Sequence, residues 1–125
     1  MLELQDNSKA FISSLVSSIQ KRSIKKFMEE NYLNNLKIND YALLTGRSIS
    51  TFNREFKSLY GTTPKKWLIT KRLNKSHEIL KNTNLNVTEV SMEVGYENVS
   101  HFIDAYKKTY GITPKSTLNK KVNEI

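Results

Sequence analysis

The chain contains no cysteine, which excludes disulfides, thiolate metal sites and cysteine nucleophiles together. Glycine occurs four times and proline twice, and β-branched alternation is scarce. Helical periods therefore dominate, and an all-α fold is expected. No apolar run approaches the roughly twenty residues that a membrane-spanning helix needs. The opening MLELQDNSKAFISSLV lacks the basic start and cleavage site of a signal peptide, so a cytoplasmic protein is expected. The two histidines, His77 and His101, stand apart from each other and from any carboxylate pair at ligand spacing. No metal site and no cofactor are expected.

What is present is positive charge. Lys and Arg number 20 against 12 Asp and Glu, a formal net charge of +8, with a pI near 9.7. That balance favours a polyanionic partner, for which nucleic acid and an acidic membrane surface both qualify. With 125 residues, the chain suits one compact domain or two small subdomains sharing a helix. Little is left for a separate catalytic domain.

Punctuation locates the helices. Phe11, Ile12, Leu15, Val16 and Ile19 share one face of an amphipathic stretch. Ser23 is placed to cap a helix with Ile24, Phe27 and Met28 inward. Asn39 is expected to cap a short helix with Ala42 and Leu43 inward, ended by Gly46 in the left-handed region. Ser48 caps a helix from Ile49 to about Tyr60, closed by Gly61. Thr63 with Pro64 at the first helical position opens the longest helix, which runs to about Lys81. Asn86 and Glu89 stand at capping-box spacing before a helix that stops at Gly95. Asn98 caps the next, to about Tyr110 and Gly111, and a last short helix begins at Pro114.

An internal repeat organises these pieces. SISTFNREFKSLYGTTPK, from Ser48, reads against NVSHFIDAYKKTYGITPK, from Asn98, at a constant offset of about fifty residues. Each copy is a short helix, a turn with glycine and a longer helix, the outline of a helix-turn-helix. In the first copy Phe52, Phe56 and Leu59 form the inward stripe, leaving Ser50, Asn53, Arg54 and Lys57 exposed. In the second, Val99, Phe102 and Tyr106 turn inward and Ser100, Ile103, Asp104 and Lys107 outward, with His101 at the border. The helix between them, about eighteen residues at roughly 1.5 Å each, measures on the order of 27 Å. Two reading helices held near the roughly 34 Å of one DNA turn would enter successive major grooves.

The paired copies, the joining helix and the stretches GRSISTFNREFKSLYGTTPKKW and VTEVSMEVGYENVSHFIDAYKKTYGITP resemble the AraC/XylS family of bacterial transcription regulators, over roughly Ser23 to Leu118. The resemblance implies about seven helices in two homeodomain-like helix-turn-helix subdomains. Their expected extents are 23–62 and 84–118, with a joining helix over 63–83, a linker or amphipathic helix over 1–22 and a basic tail over 119–125. It implies double-stranded promoter DNA as partner, contact with RNA polymerase, and dimerisation through a sensing domain of which this sequence shows no sign.

Carried over by position, the resemblance puts Ser50, Thr51, Asn53 and Arg54 against bases from the first unit, and Ser100, His101, Ile103 and Asp104 from the second. Ser48, Lys57, Lys107 and Lys108 fall nearer phosphate. One position departs from the family: relatives often carry Arg where this chain has Asp104. A carboxylate there can accept from cytosine N4 or simply repel DNA.

Plainer readings stand beside these. Arg54 could pair locally with Glu55 or Ser58, and Asp104 with Lys108. The aromatic stripe and Trp67 fit a core better than a stacking platform for single strands, and His77 fits a half-buried structural role. Lys65, Lys66, Lys71, Arg72 and Lys75 form either a solvated face or a set of phosphate contacts. Of the competing functions, an alkyl-accepting DNA repair enzyme needs the cysteine that is missing. An architectural or membrane-surface binder would show no preference among duplexes.

Overall fold

Ser23 fulfils its capping role: its Oγ accepts the Lys26 amide at 3.2 Å and opens α1 (Ile24–Asn31), which buries Ile24, Phe27 and Met28. These coordinates belong to a computed structural model that describes residues 21–123. The amphipathic stretch Phe11 to Ile19 lies outside the described residues.

α2 (Ile38–Leu44) begins earlier than its sequence suggests. Lys37, not Asn39, holds the cap position, and its N–H donates to Asp40 Oδ2 at 2.9 Å. The carboxylate three residues into the helix reaches back to the cap amide, a contact open to Asp40 and not to Asn39. Tyr41, Ala42 and Thr45 take the inward arc, and the Thr45 hydroxyl donates to Tyr41 O at 2.7 Å. Leu43, expected inward, falls outside that arc and is 43% exposed.

α3 (Ile49–Tyr60) follows after Gly46, whose φ is 74°. Ser48 Oγ accepts the Thr51 amide at 3.2 Å, and Gly61 closes the helix in the left-handed region. Its buried line is Phe52 and Phe56, whose ring centroids are 5.8 Å apart, and Tyr60 continues the row with its ring tilted 4.6 Å from that of Phe56. An i, i+4, i+8 row drifts around a helix by about 40° per step. The core therefore follows Tyr60 and leaves Leu59, expected in the stripe, 57% exposed.

α4 (Pro64–Asn82) starts with proline at its first position, where the missing N–H has no partner to lose. α5 (Val87–Glu93) carries the predicted capping box, with the Glu89 amide on Asn86 Oδ1 at 2.8 Å and the Asn86 amide on Glu89 Oε1 at 3.1 Å. α6 (Val99–Tyr110) is capped by Asn98, whose Oδ1 accepts the amides of Ser100 at 2.9 Å and His101 at 3.2 Å. α7 (Pro114–Asn123) takes in much of the segment expected as a basic tail.

The described residues divide into two compact units. The first comprises 21–30 and 37–64; the second comprises 31–36 and 65–123. The second is built on Leu73, Leu80, Val90, Val94, Phe102 and Tyr106. Residues 31–36 belong to it because Arg72 holds their carbonyls: Nε donates to Tyr32 O at 2.7 Å and Nη2 to Asn34 O at 2.9 Å. Tyr32 also meets the Trp67 ring edge-on at 6.1 Å, with the Lys71 ammonium 5.0 Å from the tyrosine ring.

Gly95 is where this packing needs a glycine. Its φ is 91°, and a Cβ there would stand 2.8 Å from Leu33 O and 3.3 Å from Arg72 Nε. Both the left-handed backbone and the close approach of the 31–36 segment exclude a side chain.

Candidate nucleic-acid interface

In the first unit the buried Phe52 and Phe56 fix which side of α3 faces out. Ser50, Asn53, Arg54 and Lys57 are all exposed on it. Thr51 is half-buried, and its hydroxyl is 3.0 Å from that of Ser48, so these two are tied to the helix start.

The electrostatics of this face depend on Arg47, a residue the sequence reading passed over. Arg47 Nε donates to Glu55 Oε2, and its Nη1 donates to Arg22 O at 2.7 Å and to Thr45 O at 2.8 Å. One guanidinium thus fastens the chain entering α1, the turn after α2 and the second turn of α3. The hydrogen bond from Arg47 holds the Glu55 carboxyl below the usual carboxylate range, with the charges of Arg47, Lys21 and Arg54 acting in the same direction against a raising effect of burial. The carboxylate that could have neutralised Arg54 is engaged elsewhere. Arg54 makes no hydrogen bond among the described residues and lies exposed, its five donors available to a ligand. No periodicity rule links residues eight apart, so only the fold reveals the pair.

In the second unit α6 presents Ser100, His101, Asp104, Lys107 and Lys108, all exposed. Asp104 and Lys108 form no ion pair with each other or elsewhere among the described residues, so the local pairing considered for Asp104 is not made. Ile103, expected to face outward, is half-buried and packs against the second unit's core. Val99, expected inward, is half-buried too.

Behind α6 lies a polar chain with no counterpart in the repeat. His77 Nδ1 and the Tyr106 hydroxyl are 2.7 Å apart, and Tyr106 continues to Thr117 Oγ1 at 2.9 Å. His77 stacks on Tyr110 at 4.9 Å, whose hydroxyl donates to Asn74 Oδ1 at 2.8 Å. Burial, with Lys81 nearby, pushes the His77 pKa down, while burial pushes the Tyr106 and Tyr110 phenols up. Phe56 and Trp67 stand at the positions of Tyr106 and Thr117 in the first copy. His77 is thus half-buried and structural, as its place on the joining helix suggested.

The basic set of α4 is divided in the same way. Arg72 and Lys71 are engaged with 31–36, and Lys75 lies 3.5 Å from Glu78; Lys65 and Lys66 are exposed. No described helix is long and apolar enough to cross a membrane.

Comparison with known proteins gives a consistent picture. A family described as a helix-turn-helix domain matches residues 41–120. The virulence regulon transcriptional activator VirF of Yersinia enterocolitica is 29% identical over 98% of this chain, which covers 46% of VirF. The chain thus spans about half the length of the curated relatives it matches. A transcriptional regulator of Chromobacterium violaceum, described as carrying an AraC-type DNA-binding domain, superposes with a TM-score of 0.65 at 26% identity, over 87% of this chain and 94% of that one. The DNA-binding domain of AdpA, solved with a target DNA, shares the fold at a TM-score of 0.72 and 24% identity, over 78% of this chain and 87% of its own.

Proposed function

The chain belongs to the AraC/XylS family of bacterial transcription regulators, and from that premise we propose that it binds double-stranded promoter DNA sequence-specifically, as the DNA-binding part of a regulator. The observation that carries the reading is Arg54. An exposed guanidinium sits on the outer face of a helix-turn-helix second helix while the adjacent carboxylate is held by Arg47. That arrangement suits bidentate contact with guanine O6 and N7.

Ser50, Thr51, Asn53 and Arg54 are the base-reading set of the first unit, and Asn53 suits adenine. Ser100, His101, Ile103 and Asp104 are the corresponding set of the second, where the carboxylate accepts from cytosine N4. Ser48, Lys57, Lys107 and Lys108 serve phosphates, which position the protein without reading sequence. VirF is named as an activator, and activation through contact with RNA polymerase in the cytoplasm extends the same reading. An architectural binder, by contrast, would show no preference among duplexes.

Selection of bound duplexes from a random pool tests the proposal. A recurrent sequence preference is expected; equal recovery of all duplexes would overturn it.

A further inference from the structure

We infer that Ile103 makes the second unit a reader of thymine, recognising the C5-methyl group by apolar contact at the position where the first unit carries Asn53; this rests on the DNA-binding reading above. Thymine alone among the bases presents a methyl group in the major groove. Ile103 is half-buried and anchored on the second unit's core. With Val87, Val99 and the buried Pro114 it lines a groove of about 380 Å³ whose surface is mostly apolar, to which Lys115 adds a positive charge.

Three observations point to a methyl group as occupant. Ile103 and Val99 are one helical turn apart, so they share a face of α6, and Ser100 and Asp104 share the next. An apolar strip therefore runs beside the polar one along a helix placed to read bases. A β-branched side chain with one side fixed in a core has little rotamer freedom left to lose on contact. A solvated isoleucine would lack that advantage. Finally, the exposed Lys107 and Lys115 supply attraction for phosphates flanking the contacted base, while Asp104 disfavours guanine, which offers only acceptors in the groove.

The repeat supplies the contrast. At the same position of α3 stands the exposed Asn53, whose amide matches adenine. The two units then read by different chemistry, hydrogen bonding in the first and methyl contact in the second.

The test takes duplexes recovered from the random pool and replaces each thymine in turn by deoxyuridine, which removes only the methyl. One such exchange is expected to weaken binding by the wild-type chain about fourfold, the worth of one buried methyl. Ile103→Asn and Ile103→Ala are expected to bind the thymine and deoxyuridine duplexes equally, with the preferences of the first unit intact. Ile103→Ala covers the case in which asparagine unfolds the second unit. If no exchange affects the wild type, or if both variants feel it as strongly, the inference is overturned. A pool without any preferred duplex overturns the DNA-binding reading and this inference with it.

Discussion

Arg54 and His77 show how far a single side chain's neighbours decide its role. Arg54 has an acidic residue next to it in sequence, and pairing there would remove it from any ligand. Arg47 takes that carboxylate. Arg54→Ala is therefore expected to cost about 1–3 kcal/mol of preference at one base pair, with little change against random duplexes. Competition binding with single-base variants of a selected duplex measures it, and equal losses on specific and random DNA would contradict it. Arg47→Ala should lower thermal stability and, by releasing Glu55 toward Arg54, also weaken specific binding.

His77 predicts a pH dependence. Its pKa in the folded chain is depressed by burial below the ordinary 6.5, so the unfolded chain takes up the proton first. Stability from this group is full above about 6.5 and falls as pH drops toward the folded value. Protonation puts a proton on both ring nitrogens, so Nδ1 can then only donate across its 2.7 Å contact with the Tyr106 hydroxyl. Thermal melts between pH 7 and about 5 should slope downward for the wild type and less for His77→Gln. Parallel slopes would contradict the assignment.

At the scale of elements, the repeat carries the same parts in both copies but loads them differently. α3 and α6 are capped by Ser48 and Asn98, and replacing either by Ala should cost about 1 kcal/mol. The glycines divide more sharply. Gly61 has φ 69° and open space where a Cβ would go, whereas Gly95 has Leu33 O at 2.8 Å. Gly61→Ala should cost only the left-handed backbone, about 1–2 kcal/mol. Gly95→Ala should cost visibly more, because the 31–36 segment must move as well. Chemical denaturation of the two variants tests the order, and similar costs would mean that the segment yields easily.

For the whole molecule, charge and asymmetry set the expectations. With a net charge of +8, affinity for any duplex should fall steeply with salt, and Lys107→Ala should reduce the slope of log affinity against log salt by about 1. The units should contribute unequally. Arg54 in the first unit has the stronger hydrogen-bonding chemistry, whereas the second offers a carboxylate and a half-buried isoleucine. Ser100→Ala with His101→Ala should therefore cost less sequence preference than Arg54→Ala alone, as duplex selection with each variant would show. The reverse order would make the second unit the main reader.

The sequence alone determined the helical class, the repeat, the family and most helix ends, because these follow from local chemistry. Ser23, Ser48, Asn86 and Asn98 cap within three residues, Pro64 starts a helix by its own ring, and glycines stop helices by their own φ. It also marked the exposed face of α3, since Phe52 and Phe56 repeat at helical spacing. Tertiary structure decided whatever depends on partners distant in the chain. Arg72 reaches back about forty residues to gather 31–36 into the second unit. Arg47 claims Glu55 from outside the helix. Leu59 stays exposed because the core follows Tyr60, and Ile103 settles halfway into an apolar groove formed with Val87, Val99 and Pro114. Periodicity gives a residue's direction on its own helix; what waits in that direction is set by packing.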